Sequence, residues 1–485
     1  MISVFIAEAD TRPSATGLGM KRFNLIRLIL TVVLLLGTPW THAEVGTLTL
    51  QQAVEQARQH DPWLQGSRYR QRSFSEESVS AAALPDPQLA IGFANLPVDS
   101  FDFNQEPMTQ FKVGVSQTFA RGSSRALNRQ RYELMSDEEP LLRDNRQASI
   151  TVQVSNLWLD AYLARESVRL IEADRELFEY LVDVAQSSYS SGVGNSRQQD
   201  IIRAQLELTR LDDRLSALKQ REESAISQLS AWLGAGYAEN REGWQTAAAV
   251  PSFRLSAQLP ELQLKFADRL LASRDLDSGW LAGHLLQHPA ILSKDKQIDV
   301  EETGVQLAKQ NYKPQWGVNA SYGYRDDASD NVRRDDFFSV GVTFDLPIFT
   351  GNRQDRKLQA SIARAEEKKT EKWYALRNFQ AALENQRAIL KRLSQRQALY
   401  QGRLLEQMHD QAEASLTAYT TDDGDFAEVV RARIAELNAK IEALEIGIAR
   451  KKTVVELNYF FAGSSAGSSA VSSTNTASGI EGSTP

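Results

Sequence analysis

The chain has 485 residues, a formal net charge of −7 and a sequence pI near 5.5. This mildly acidic balance, without a large basic block, argues against nucleic acid as the main partner. Cysteine is absent, which excludes disulfide bonds, thiolate metal sites and a lipid-modified N-terminal cysteine. The sequence contains no P-loop, no zinc-protease motif and no nucleotide-binding glycine fingerprint. We therefore predict no enzyme activity, no cofactor and no bound metal.

A basic pair followed by a short apolar run marks the N-terminus as an export signal. The basic pair occupies 21–22, the apolar run 28–36, and a small-residue cleavage site ends at Ala43. The apolar run is shorter than the roughly 20 residues that span a bilayer. We predict a signal peptide over 1–43, with an uncleaved anchor as the alternative. Met20 stands directly before the basic pair and could be the true start.

The sequence is organised as one unit used twice. Pro62 and Pro289 each open a helical stretch, and Pro87 and Pro314 each precede a stretch of alternating residues; both pairs are 227 residues apart. A constant offset at landmarks with different roles indicates a duplication. The predicted organisation is a signal peptide over 1–43, a first repeat over 44–234, a connector over 235–282, a second repeat over 283–462 and a disordered tail over 463–485.

Each repeat contains a predicted β-hairpin, over 88–119 in the first and over 315–347 in the second. Bulky apolar residues such as Leu89, Ile91 and Phe93 alternate with small or polar residues, which is typical of a strand with two different faces. The strand lengths approach the 9–11 residues that a tilted membrane strand needs. Alternation alone also fits a soluble sandwich. The sandwich is disfavoured because only four such strands occur, in two pairs separated by over 200 residues.

Four strands are too few to close a barrel, and an open sheet edge is not tolerated in lipid. If the strands lie in lipid, several copies of the chain must therefore contribute to one barrel. Three copies supply about 12 strands, which is wide enough for a lumen. The predicted fold class is mainly α with a membrane β-barrel. We expect a trimeric 12-stranded barrel, with four strands per protomer, continuous with a long α-helical coiled-coil tunnel.

The remainder of the chain is predicted as very long helices. One runs from Ser124 to about Ser188 with an interruption at Pro140, where Ser136 and Glu139 form a capping-box pattern that could restart the helix. A helix of about 60 residues spans roughly 90 Å, which exceeds any compact core and favours lateral coiled-coil packing. The other long helices are predicted over 195–233, 353–415 and 426–461.

The turn between the last two long helices is acidic. It contains Asp422, Asp423, Gly424 and Asp425. The carboxylates could simply cap the following helix, because aspartate favours that position. In a threefold tube they would instead place about nine carboxylates around one axis. Such a ring would attract cations, repel anions and favour a closed tip when arginine or metal ions bridge it.

Two histidines have the spacing of a helical metal pair. His284 and His288 are four residues apart, but Pro289 follows at once and His288 corresponds to Asp61 in the first repeat. We therefore expect His288 to begin a helix rather than to bind a metal ion.

Several short motifs follow one another in order along the chain. Together they resemble the TolC-like outer-membrane efflux family, from about Leu48 to Phe461. The residues that carry the resemblance are Leu48-Thr49-Leu50-Gln51-Gln52-Ala53-Val54, Asp61-Pro62, Pro85-Asp86-Pro87, Gln117-Thr118-Phe119-Ala120-Arg121-Gly122, Tyr189-x-x-Gly192 with Asp200 and Ala204, and Leu346-Pro347-Ile348-Phe349-Thr350-Gly351. Asn95-Leu96-Pro97 and Glu106-Pro107-Met108-Thr109 look closest to the heavy-metal branch of that family, the CzcC and CusC group.

This resemblance implies a homotrimer in the outer-membrane lipid with a periplasmic helical domain. It also implies that the helical tips dock to a periplasmic adaptor, or membrane fusion protein, and to an inner-membrane pump of the RND type. Carried over residue by residue, the pore constriction or gate falls on Asp422, Asp423, Asp425 and Arg431. The tip turn and adaptor-docking residues are Gly192, Gly194, Ser196, Arg197, Asp200 and Gly424.

The predicted function is the outer-membrane channel of a tripartite efflux system, a passive conduit for substrates such as heavy-metal cations. A type I secretion duct and a drug-efflux duct are alternatives within the same family. A trimeric adhesin also builds a barrel from four strands per chain, but those strands would lie together at one end of its sequence. A periplasmic structural coiled-coil protein leaves the two-faced strands unexplained.

Overall fold

The structure is a computed structural model that describes residues 47–191, 198–234, 253–272, 276–328, 330, 332–421 and 425–463. The predicted signal peptide and, except for Gly463, the predicted tail lie outside these residues. Among the helices within these ranges, none combines the length and apolar character that a bilayer-spanning helix requires.

The described residues are mainly helical. The helices are α1 Leu50–His60, α2 Pro62–Ala82, α3 Ser124–Ser191, α4 Gln198–Leu233, α5 Ala267–Ala272, α6 Ser278–Leu286, α7 Pro289–Gln310, α8 Gln354–Leu399, α9 Leu405–Thr420 and α10 Phe426–Tyr459. A π-helical segment, Tyr400–Leu404, joins α8 to α9. The strands are β1 Thr47–Leu48, β2 Gln88–Ala94, β3 Gln110–Phe119, β4 Arg254–Leu255, β5 Trp316–Tyr324 and β6 Phe337–Phe344.

The helices at the start of the two repeats begin at matching positions. The Asp61 carboxylate caps α2 by accepting the backbone N–H of Trp63 at 3.3 Å, and Pro62 occupies the first helical position. His288 caps α7 in the same way, and Pro289 follows it. Proline suits this position because its fixed φ is helical and its missing N–H would have no partner there. The expectation that His288 begins a helix is confirmed.

The strands of both repeats join in one antiparallel sheet with the order β2-β3-β5-β6. The pairing of β3 with β5 connects the two hairpins, and it runs from Phe111 opposite Tyr324 to Phe119 opposite Trp316. Within the part of the chain that the structure describes, the outer edges of β2 and β6 have no strand partner.

The sheet has one apolar and one small or polar face. Ile91, Val113, Tyr322 and Phe338 lie opposite one another across the four strands. Ile91 is 62% exposed and Phe338 is 73% exposed, so this apolar face is uncovered in the single chain. The adjacent row, on the other face, consists of Ala90, Gly114, Ser321 and Ser339.

Two arginines in the loop of the second hairpin donate hydrogen bonds to the loop of the first hairpin. Arg325 donates to the backbone carbonyl of Pro107 at 3.1 Å, and Arg334 donates to that of Glu106 at 3.2 Å. The ring of Phe103 stacks on Tyr324, with centroids 6.3 Å apart. These contacts hold the loop of the first hairpin against the second.

The long helix α3 is continuous over 68 residues, so the predicted interruption at Pro140 is wrong. At 1.5 Å per residue this helix is about 100 Å long. The capping box expected from Ser136 and Glu139 does not form. Both side chains bond instead to α2.

Contacts with α2 explain why the helix passes through Pro140. Glu139 is buried; it accepts from the Ser67 hydroxyl at 2.6 Å and pairs with Arg70 Nε at 3.0 Å. The Ser136 hydroxyl donates to the Gln71 carbonyl at 3.4 Å. Lateral packing thus compensates for the hydrogen bond that proline cannot donate.

Two further predictions differ from the structure. The connector 235–282 was expected to be irregular, but its described part contains β4, α5 and the start of α6. Such short elements show no hydrophobic period that a sequence could reveal. The helix expected over 353–415 is divided by the π segment Tyr400–Leu404, and it extends to Thr420.

The core is distributed along the helices in three buried clusters. The first surrounds Trp158, whose indole N–H donates to the Leu48 carbonyl at 3.1 Å. The second surrounds Phe178 and Phe426 and joins α3, α4 and α10. The third surrounds Phe461 and includes residues of α5, α6 and α8. This distribution is typical of helices packed side by side.

Candidate functional site

The acidic turn between α9 and α10 is the first candidate site. Asp422, Asp423 and Gly424 lie outside the described residues. Asp425 is the N-cap of α10, and its carboxylate accepts the backbone N–H of Ala427 at 3.1 Å. Asp425 therefore has the helix-capping role that the sequence left open as an alternative. A role of Asp425 at a gate stays a prediction.

Arg431 lies one and a half turns into α10. Its Nη2 is 2.9 Å from Glu428 Oε2, and its Nε donates to the Ala427 carbonyl at 3.2 Å. Its side chain is 67% exposed. The guanidinium is thus held against its own helix and remains accessible to solvent.

The turn between α3 and α4 is the second candidate site. Gly192, Gly194, Ser196 and Arg197 lie outside the described residues. Asp200, in the first turn of α4, is only 5% exposed. A carboxylate there complements the positive end of the helix dipole. Docking of an adaptor at this turn stays a prediction.

A network of charged side chains that the sequence did not predict connects α9, α10 and α3. It consists of His409 and Glu413 on α9, Arg433, Glu436 and Lys440 on α10, and Asp174 on α3, and we call it the Arg433 cluster. Arg433 is two helical turns from Asp425, or about 12 Å along the axis of α10.

Arg433 connects α9 and α10, the helices that precede and follow the acidic turn. Its Nη2 lies 2.6 Å from Glu413 Oε1, and its Nη1 lies 2.9 Å from Glu436 Oε2. The other oxygen of Glu436 lies 2.9 Å from His409 Nδ1 and 3.0 Å from Lys440 Nζ. Lys440 also approaches Asp174 at 3.9 Å. The cluster therefore bonds α9 to α10 and α10 to α3.

The central pair of the cluster is buried. Arg433 is 8% exposed and Glu436 is 4% exposed, among apolar neighbours such as Val430 and Leu437. Burial alone would raise the pKa of Glu436, but hydrogen bonds from His409, Lys440 and Arg433 outweigh it and lower the pKa to about 2. Glu436 is therefore ionised across the physiological range. Burial also raises the pKa of Asp174, against the opposing charge of Lys440.

The cluster contains side chains of the types that bind metal ions. However, the positively charged side chains of Arg433 and Lys440 already bond to its carboxylates. His409 and Glu413 have i, i+4 spacing on α9 and face Glu436, which is a typical ligand set. However, Arg433 bonds to both carboxylates and Lys440 to one of them. In the described ranges, no group of three or more His, Asp or Glu side chains has a geometry suited to a metal ion.

The imidazole rings of His284 and His288 both lie within hydrogen-bond distance of backbone groups. His284 Nδ1 lies 2.9 Å from the Trp280 carbonyl. His288 accepts from the N–H of Ala290 through Nδ1, so its Nε2 carries the proton and donates to the Tyr459 carbonyl at 3.0 Å. Burial lowers the pKa of His288 to about 4, although the bond to Tyr459 opposes this shift. Both rings thus have backbone partners.

Comparison with known proteins supports the fold. No protein-family model matches the chain, and no curated protein is significantly similar to it. Among solved structures, the outer-membrane channel OprN matches with a TM-score of 0.65 at 14% identity, over 85% of this chain and 90% of OprN. CusC matches with a TM-score of 0.65 at 13% identity, over 85% of this chain and 91% of CusC.

The outer membrane protein VceC of Vibrio cholerae matches with a TM-score of 0.64 at 14% identity, over 85% of this chain and 96% of VceC. At such identities the likeness shows the fold: this chain has the fold of these outer-membrane channel proteins. The predicted resemblance to the TolC-like channels is confirmed at that level. The heavy-metal branch stays a prediction, because CusC matches no better than OprN.

The burial of Arg433 leads to a stability prediction. Replacing Arg433 by Met leaves Glu436 buried with fewer partners, and we expect a loss of about 3 kcal/mol. The measurement is thermal unfolding of the detergent-solubilised protein at pH 7. Arg431→Met is the matched control: its pair with Glu428 is exposed, so it should cost less than about 1 kcal/mol. Equal losses for the two variants would contradict the role assigned to the Arg433 cluster.

Proposed function

We propose that this protein is the outer-membrane channel of a tripartite efflux system and acts as a passive conduit. The observation that carries the proposal is the four-stranded sheet, which has an exposed apolar face and two unpaired edges in the described chain. A soluble protein rarely exposes so continuous an apolar surface. Outer-membrane lipid is the environment that suits this face.

The unpaired edges favour assembly. In lipid, the backbone N–H and C=O groups along β2 and β6 would have no water to bond, at a cost of several kcal/mol for each group. Pairing β6 of one copy with β2 of the next removes every edge once the ring closes. We propose a homotrimer, because three copies of four strands give a barrel of about 12 strands.

The long helices suit a tunnel across the periplasm. The helix α3 alone is about 100 Å long and packs against α2, α4, α7 and α10. Among the structures of similar fold, OprN is described as an outer-membrane channel and VceC as an outer membrane protein, which supports the same location here. By the resemblance of the sequence, the helical tips dock to a periplasmic adaptor and an RND-type inner-membrane pump.

The substrate is proposed as a heavy-metal cation on the sequence resemblance alone. Secretion of protein by a type I system and efflux of drugs would use the same conduit. A trimeric adhesin is a weaker candidate, because its strands lie together at one end of the chain. Here Phe119, which ends β3, and Trp316, which begins β5, pair across about 200 residues that are mainly helix.

Deletion of the gene tests the efflux function. The deletion strain should accumulate the transported metal or drug and become at least several-fold more sensitive to it. The measurement is growth inhibition across a panel of divalent metals and drugs, with complementation by the wild-type gene as the control. Unchanged sensitivity to the whole panel, together with lost surface attachment, would reject the duct in favour of the adhesin.

The acidic turn is proposed as the gate. Removing its charges should raise single-channel conductance and weaken block by divalent cations, because fewer carboxylates then hold cations on the axis. Asp422 and Asp423 are replaced by Ala, whereas Asp425 is replaced by Asn, because asparagine keeps the N-cap of α10 and removes only the charge. The measurement is current through purified protein in planar bilayers.

A charge-matched variant controls for long-range electrostatics. Glu76→Gln, Glu77→Gln and Asp213→Asn remove the same charge from exposed positions on α2 and α4. This control should conduct like the wild type. If the gate variant also conducts and is blocked like the wild type, the acidic turn is not the constriction.

A further inference from the structure

The small and polar face of the four-stranded sheet carries a single charged side chain. Among the residues of β2, β3, β5 and β6, all of which the structure describes, Lys112 is the only Asp, Glu, Lys or Arg. It lies two residues before Gly114, so both face away from the apolar row that contains Ile91 and Val113. In the proposed barrel the apolar row contacts lipid, and Lys112 therefore faces the lumen.

Lys112 has no large neighbour across the strands. The residues opposite it are Gly92 on β2 and Gly323 on β5. A Cβ added at Gly92 would meet no atom within 4 Å. The Lys112 side chain is exposed, and it has no ion pair with any residue that the structure describes. Its ammonium group is thus neither shielded nor neutralised by the described part of the chain.

Closure of the barrel would leave this space open. Both neighbours of Lys112 belong to its own chain, so the proposed pairing of β6 with β2 of the next copy places no new strand beside β3. Ala90, Gly92, Ala94 and Gly114 line a shallow hollow of about 240 Å³ next to Lys112. An ion in the lumen could therefore approach the ammonium group without displacing a large side chain.

Three such ammonium groups would lie close to the axis of the barrel. Twelve strands about 4.8 Å apart, tilted by about 40°, give a barrel of about 12 Å radius. The flexible four-carbon stem of lysine covers about half of that radius. The remaining distance is shorter than the Debye length of about 8 Å at physiological ionic strength. Dissolved salt would therefore screen the axis only in part.

The charges at the two ends of the strands are arranged differently. At the end that leads to the helices, the guanidinium of Arg121 pairs with the carboxylate of Asp345. At the other end, the loop 95–109 contains three carboxylates, and the loop 325–336 contains five carboxylates and three arginines. Lys112 is the third residue of β3, close to these acidic loops. It places a positive charge on the wall directly below an acidic rim.

We propose that the Lys112 side chains of three copies form a ring that selects for anionic solutes and holds back divalent cations in the outer part of the barrel. The ring rests on the proposed function, because it exists only if three chains share one barrel. Rings of lysine or arginine are typical of pores that conduct anions or phosphate. Among the candidate substrates, the ring favours an anionic drug or an anionic metal complex over a free metal cation.

The test is the reversal potential of the purified protein in planar bilayers under a KCl gradient, which gives the permeability ratio of chloride to potassium. Lys112→Gln should lower this ratio at least about threefold at physiological ionic strength, the effect of three partly screened charges near the axis. Lys112→Glu should lower the ratio further. Lys112→Arg keeps the charge and should keep the wild-type ratio.

Two controls separate the ring from a change in net charge. Lys219→Gln removes the same charge from α4, where Lys219 pairs with Glu172 at 3.2 Å. Glu172 lies roughly 70 Å along α3 from the end near the sheet, so this variant should keep the wild-type ratio. At 1 M salt the Debye length falls to about 3 Å, and the difference between the wild type and Lys112→Gln should then disappear.

The orientation of the side chain is tested with a thiol. The chain contains no cysteine, so Lys112→Cys has one thiol in each copy. A water-soluble methanethiosulfonate reagent that attaches a positive charge should react there and restore the wild-type permeability ratio. A reagent that attaches a negative charge should lower the ratio further. Val113→Cys is the matched control, because lipid should protect a thiol on the apolar face.

The outcomes separate the ring from the proposed function. A protein that forms no channels overturns both. Channels with the same permeability ratio for the wild type and for Lys112→Gln overturn the ring and leave the conduit intact. An equal fall of the ratio in Lys219→Gln also overturns the ring. Reaction of the thiol in Val113→Cys but not in Lys112→Cys overturns the orientation of the sheet.

Discussion

A β-sheet edge cannot remain unpaired where no water reaches it, and the proposed assembly depends on this constraint. The chain has one four-stranded sheet with an apolar row of side chains from Ile91 to Phe338. No other part of the described chain covers this row. Placing that face in lipid exposes the edges of β2 and β6 to the same medium. In the proposed trimer, pairing of these edges between neighbouring copies would satisfy both demands at once. Each of the two predicted repeats supplies one hairpin of this sheet.

The helices are subject to a different constraint: they are too long to be buried around one compact core. Their burial is spread over three clusters along the bundle, and polar groups occur between apolar neighbours. A buried polar group is tolerated only where it is bonded, as Glu139 is to Ser67 and Arg70. In the Arg433 cluster, the carboxylates of Glu413 and Glu436 follow the same rule because both bond to Arg433, although Arg433 Nε is buried without a hydrogen-bond partner. There the buried charges connect α10 to α9 through Glu413 and His409, and to α3 through Lys440 and Asp174.

Much of this fold could be predicted from local patterns. Alternation at Leu89, Ile91 and Phe93 identifies a strand, and the proline after Asp61 or His288 identifies the start of a helix. The continuity of α3 through Pro140 could not be predicted, because contacts with α2 far away in the sequence decide it. The partners of Arg433 were missed for a related reason. The sequence shows a charge within an apolar stripe, but the pairing with Glu413 depends on how α9 and α10 align.

Cryo-electron microscopy of the purified protein in lipid nanodiscs would show directly whether three chains build one closed barrel. We expect a threefold particle in which β6 of each chain pairs with β2 of the next. The apolar row that includes Tyr322 would then face lipid. A single chain whose sheet keeps both edges open, or a ring with another number of copies, would contradict the proposed trimeric barrel.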